Sequence, residues 1–255
     1  MVDITLEGQK FVLVFFRVVS VIWLLPLFQS AGGISAAYKA GLALLVAFLL
    51  FESVPAPDLH GDALLLLIAV SKEFLIGLAM GFFVRILFAA VSAAGEVVSM
   101  QSGLSFARAM DPVNMTQTTV LEQFMNMLAI IIFLGIDGHH ILLRAVAASL
   151  KQIPPGAVAV RPALFQFLIE STGKIFGASL KICAPVIVTL FLMELALAIL
   201  ARLIPQVNVF VEGASMKILV TLTMLTISLN LMVPVIAGLF RGMDNEMLKI
   251  IRSAM

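Results

Sequence analysis

Ala63 to Met100 is thirty-eight residues without a proline, and it carries Lys72, Glu73, Arg85 and Glu96 along its length. As one helix it would measure about 57 Å, nearly twice the roughly 30 Å hydrocarbon core of a bilayer. A charge at mid-membrane costs about 2.5–3.5 kcal/mol on insertion scales, so these four side chains face protein or water. A chain built on such a run is confined to long, packed helices. A plain bundle of lipid-facing spans does not accommodate it.

The remaining chain is equally apolar. It is 62% hydrophobic and 12% charged, with a mean hydropathy of +1.13, against about 45–50% apolar and roughly a quarter charged in soluble domains. This places the protein in or against a membrane, as an all-α fold. The net charge of +1, with no basic block, gives nucleic acid no electrostatic footing. Cys183 is the only cysteine, which excludes an internal disulfide and a thiolate metal cluster. Met1–Lys10 is acidic and polar, and the apolar stretch behind it lacks a clear cleavage site, so it reads as retained.

Six apolar segments follow one another: Phe11–Phe28, Tyr38–Phe51, Ala63–Met100, Leu121–Ile136 with a short helix Ile141–Leu150 after it, Ile175–Leu203 and Met216–Phe240. Ile153–Pro162, with three prolines and a glycine, is the strongest break. It divides the chain into a part of four segments, residues 1–152, and a helical hairpin with a polar, amphipathic tail, residues 163–255. Pro185 and Pro234 should kink the two hairpin helices. Lysines and arginines count eight on one set of connections against four on the other, which favours both termini in the cytoplasm.

Gly77 and Gly81 form a GxxxG, which suits close helix packing within the chain or against a partner. Arg85, Ala89, Ser92, Glu96, Ser99 and Gly103 are spaced 4, 3, 4, 3 and 4, and so share one helix face. That stripe suits a water-lined path or a tight polar interface. Asp137, His139 and His140 invite a metal reading, but adjacent histidines diverge around a helix and no third ligand motif is nearby, so no metal is expected. Lys181 and Glu194, thirteen residues apart in one apolar run, each need a partner from elsewhere. No phosphate-binding loop, nucleophile elbow or paired-carboxylate motif is present, and neither enzyme activity nor a cofactor is expected.

Ala93-Ala94-Gly95-Glu96, Gln101-Ser102-Gly103-Leu104-Ser105-Phe106 and Asp111-Pro112 carry a resemblance. So do Gly138-His139-His140, Ile153-Pro154-Pro155-Gly156, and Ala201-Arg202 through Pro205-Gln206, Asn208 and Phe210. In this order they resemble the FliR family of flagellar biosynthetic proteins, whose injectisome relatives form the SctT group. The resemblance implies a subunit of a type III protein export gate in the bacterial inner membrane, at the flagellar basal body. Its partners would be FliP-like and FliQ-like subunits, an FlhB-like switch protein and unfolded export substrates. It implies a FliP-like part over residues 1–152 and a FliQ-like hairpin over 163–255. Lys72, Arg85, Lys181 and Glu194 could then pair across subunits, and Gly77, Gly81, Gly95, Gln101, Pro205, Gln206, Asn208 and Phe210 would be subunit-packing candidates.

The resemblance also implies a plug loop. Residue by residue it is Leu104, Ser105, Phe106, Ala107, Arg108, Ala109, Met110, Asp111 and Pro112. Phe106 and Met110 are its apolar stoppers; Ala109 stands where another form of the family has a second aromatic. Gly103 permits bending where the helix ends, and Asp111-Pro112 keeps helix from resuming. The rival readings are an ion-coupled transporter using Arg85, Glu96 and Glu122, and an intramembrane metalloenzyme using Asp137, His139 and His140.

Overall fold

A computed structural model describes residues 4–28, 35–52, 54, 63–105, 118–204 and 209–254. The described residues form helices and no strand: α1 (Ile4–Leu24), a 3-10 turn (Pro26–Phe28), α2 (Ala36–Phe51), α3 (Ala63–Ser102), α4 (Val120–Gly135), α5 (Gly138–Gln152), α6 (Pro162–Leu203), α7 (Val209–Arg241) and α8 (Met243–Ser253). The all-α expectation holds, and the proline-free run is one helix of 40 residues.

Several boundaries differ from the sequence reading for local reasons. The polar N-terminus is already helical from Ile4. Pro162 ends the break by starting α6, because a proline at the first helical position forgoes only an N–H that would be unpaired anyway. α7 begins at Val209 rather than Met216, and both hairpin helices run on through their internal prolines, Pro185 and Pro234. Among the described residues, three stretches are long and apolar enough to cross a membrane: Leu64–Ser102, Pro162–Leu203 and Gly213–Ser253. A fourth is added if α4 and α5 form one broken span, whereas α2 is too short.

The chain divides into two compact units, Met1–Leu87 with Asp137–Gly173 and Arg241–Met255, and Phe88–Ile136 with Lys174–Phe240. The long helices α3 and α6 each contribute to both. In the first unit, α1 lies so close to α3 that a Cβ on Gly77 would sit 1.9 Å from Ser20 Oγ and 2.3 Å from Arg17 O. A Cβ on Gly81 would meet Val21 O at 3.0 Å. The GxxxG therefore serves packing within the chain, one of the two alternatives left open above.

That close approach buries an ion pair. Arg17 and Glu73, both fully buried, bond through Nε and Oε2. The other guanidinium nitrogens donate to Ile153 O at 3.2 and 3.3 Å and to Ser149 Oγ at 3.3 Å. Glu73 Oε1 accepts from Gly156 N–H at 2.9 Å. Each charge thus finds several partners, the condition under which a buried pair is tolerated. The Pro154-Pro155-Gly156 break therefore supports the buried pair: Pro155 is buried, and Gly156, at φ 89, presents its N–H to the carboxylate.

Beside the pair, Ile76, Ile153, Val158, Ile251 and Ala254 form an apolar cluster. Ala159 N–H donates to Ala254 O at 3.0 Å. The amphipathic tail is α8, which buries Met243, Met247, Ile250 and Ile251 and packs on α5. Burying such side chains contributes about 1.5–3 kcal/mol each, enough to hold a short polar helix in place. In the second unit, Phe88, Phe133 and Phe240 form an aromatic triangle with ring centroids 4.9–5.4 Å apart.

Candidate functional site

The loop that the resemblance marks as a plug, residues 104–112, is flanked by the C-terminal end of α3 and the start of α4. Both belong to the second unit. Gly95 allows their contact: a Cβ there would be 2.8 Å from Glu122 Cα and 2.9 Å from Leu121 O. The start of α4 is closed by a capping box. Thr119 Oγ1 accepts from Glu122 N–H at 3.2 Å, while Glu122 Oε2 accepts from Thr119 N–H at 3.3 Å. Such a cap is worth about 1 kcal/mol and fixes where the helix begins. Glu122 thus has a structural task.

At the other stem, α3 ends in a turn. Gly103 N–H donates to Met100 O at 3.2 Å, and Gly103 itself is at φ 84, a conformation that side-chain-bearing residues avoid. Ser102, 1% exposed, donates from Oγ to Ser99 O at 3.0 Å and accepts from Leu104 N–H at 3.4 Å. Leu104 and Ser105 are half-buried. Phe106, Ala107, Arg108, Ala109, Met110, Asp111 and Pro112 lie outside the described residues, as do Pro205, Gln206, Asn208 and the side chain of Phe210.

The stripe on α3 grades from exposed to buried. Arg85 and Ala89 are exposed, Ser92 and Glu96 half-buried, Ser99 fully buried and Gly103 half-buried. Ser99 Oγ has no hydrogen-bond partner among the described residues. No ion pair reaches Lys72, Arg85 or Lys181 among the described residues. Glu194 does find partners, and they are in its own chain. Its Oε2 accepts from Gln101 Nε2 at 2.9 Å and its Oε1 from Lys217 Nζ at 2.5 Å. Two residues proposed separately as packing candidates, Gln101 and Glu194, therefore meet each other. Lys217 completes the set. The signal for it in the sequence is a lone base at the start of one apolar run opposite a lone acid in the other. Gly213, where a Cβ would be 3.0 Å from Leu197 Cδ1, brings α7 close to α6 in the same unit.

Asp137, His139 and His140 are brought together, against the expectation that adjacent histidines diverge. The two rings are 4.2 Å apart at their centroids, and one donor atom from each of the three residues lies within 4.8 Å of the others. Helical side chains lean toward the N-terminus, and at the first turn of α5 no preceding turn separates them. Asp137 is left-handed, at φ 58 and ψ 31, and its Oδ1 is 3.3 Å from His140 Nδ1. A borderline ion such as zinc matches these donors, but the positive end of the α5 dipole opposes a cation there.

The chain matches the model of the bacterial export proteins, family 1, over residues 9–243. It belongs to that family. The match covers both stems of the loop, the break that supports Glu73 and the whole α6–α7 hairpin. Among curated relatives, the flagellar biosynthetic protein FliR of Escherichia coli strain K12 is 33% identical over 213 residues, covering 84% of this chain and 82% of the relative. FliR of Bacillus subtilis strain 168 is 32% identical over 234 residues, 90% of each chain. FliR of Aquifex aeolicus strain VF5 is 30% identical over 222 residues, covering 85% and 84%. These export-family helices are apolar enough to place the chain in a membrane.

Proposed function

We propose that the chain is a subunit of the flagellar type III protein export gate in the bacterial inner membrane. With FliP-like and FliQ-like subunits, and against an FlhB-like switch protein, it forms a closed channel for unfolded substrates. The observation that carries this reading is similarity to FliR proteins along nearly the whole chain, loop stems included. The flagellar names of these relatives favour a flagellum over an injectisome. The FliP-like part, residues 1–152, would supply the loop, and the FliQ-like hairpin, residues 163–255, would brace it. This role gives the chain no reaction to catalyse and no cofactor to bind.

The 104–112 loop is the plug in this reading. A short loop carrying Phe106 and Met110 closes a narrow pore by excluding water. What supports it is the pair of stems: a glycine at φ 84 leads into the loop and a capping box follows it. Both stems are anchored within the second unit. Deleting Leu104–Met110 in the assembled complex should make cells leak ions and admit small dyes. Unchanged conductance and dye uptake, with the complex present in normal amount, would refute the plug.

A further inference from the structure

Trp23 and Tyr38 are the only tryptophan and the only tyrosine in the chain. They stand at the same end of the α1–α2 pair, near the close of α1 and in the first turn of α2. Both are exposed, 50% and 75%. Lys39 Nζ lies over the Trp23 ring, 5.7 Å from its centroid. The opposite end of the antiparallel pair is closed by Lys10 Nζ over the Phe51 ring, at 4.5 Å.

Beyond Lys39, α2 carries no further polar side chain. It buries only Ala43 and Ala47 and leaves Leu42, Leu45, Phe48 and Leu49 bare. An aromatic ring with an N–H or O–H settles where one side is apolar and the other wet, the boundary between acyl chains and headgroups. A lysine beside it lays its stem on the apolar surface and turns its charge to anionic phosphates.

We infer that Trp23, Tyr38 and Lys39 form a lipid-headgroup anchor, with the bare face of α2 lying against acyl chains. Charge decides which end meets the headgroups. At the far end Lys10 is only 7% exposed beneath Phe51, and among the described residues the exposed charge there is Glu52, which an anionic surface repels. Length agrees. From Lys39 to Phe51 α2 rises about 18 Å, so with a hydrocarbon core of roughly 30 Å it meets one headgroup layer and not both, and the exposed Glu52 beyond it turns to protein or water rather than to acyl chains.

The single tryptophan makes the test direct. The full chain is reconstituted in phosphatidylethanolamine–phosphatidylglycerol vesicles whose lipids carry bromine either near the ester or near the methyl end. In the assembled complex, Trp23→Phe supplies the blank. The anchor predicts that the shallow label quenches Trp23 emission about twofold more than the deep one, as an interfacial ring should. It also predicts that Lys39→Glu lowers this quenching in vesicles with phosphatidylglycerol and leaves it unchanged without. Deep quenching equal to or above shallow, or no quenching by either label, overturns the anchor. An unaltered response in Lys39→Glu overturns the part given to the cation.

Discussion

Gln101 Nε2 donates to Glu194 Oε2 at 2.9 Å, tying the last turn of α3 to α6 within the second unit. The same carboxylate accepts from Lys217 on α7 at 2.5 Å, so one acid joins three helices. Glu194 and Lys217 are 39% and 24% exposed, and solvent screens the pair. The loss for Glu194→Ala should therefore be modest, about 1 kcal/mol. Thermal unfolding in detergent of Gln101→Ala, Glu194→Ala and the double variant checks this. The two losses should combine to less than their sum, and strict additivity would show that the bond contributes nothing.

Arg17 and Glu73 should behave differently, because both are fully buried. Removing one partner strands the other charge in the core. Arg17→Met or Glu73→Leu alone should cost about 3–5 kcal/mol. The double variant removes both charges and should recover part of that loss. It should stay below the parent, since Gly156 N–H and Ile153 O lose their partners. Denaturant unfolding of the three variants measures it, and a double variant as weak as the worse single one would contradict the argument.

Much of this architecture is legible in the residues. Apolar runs mark the helices, because a long run without proline has no way to stop, and α3 follows from that alone. The Ile153–Pro162 break is equally plain, but its partnership with Glu73 is not. An acid in one apolar run and a base in another announce that each needs a partner, and sequence distance does not say which. Glu194 illustrates this. The sequence requires a partner for it, and only the packing of α3, α6 and α7 supplies Gln101 and Lys217. The GxxxG likewise announces a close contact without naming α1 as its object. The left-handed Asp137 left no sign in the sequence, since a helix-periodic reading assumes ordinary backbone on both sides of a turn.

Gly77 and Gly173 make a paired test of close packing. A methyl at Gly77 would fall inside Ser20 Oγ and the Arg17 carbonyl, whereas one at Gly173 meets nothing within 4 Å. Gly77→Ala must push α1 off α3 and disturb the Arg17–Glu73 pair, at a cost of more than about 3 kcal/mol. Gly173→Ala should gain about 0.5–1 kcal/mol from helix propensity. Steady-state abundance and thermal unfolding of each variant decide it. Equal stabilities would mean that α1 and α3 are not in such close contact.

Asp137 carries two opposed contributions. Its left-handed backbone costs about 1 kcal/mol, which glycine would recover. Its carboxylate, near the start of α5 and 3.3 Å from His140, favours the helix dipole by about 0.3–1 kcal/mol. Asp137→Gly should therefore be close to neutral, because it relieves one and loses the other. Asp137→Val loses the carboxylate and keeps a strain worse for a β-branched residue, so it should cost about 2 kcal/mol or more. Thermal unfolding of the two variants, with and without a chelator, gives the ordering. If Asp137→Gly were strongly destabilised and a chelator weakened the parent equally, the carboxylate would be binding an ion with His139 and His140, and the metal-free expectation would fall.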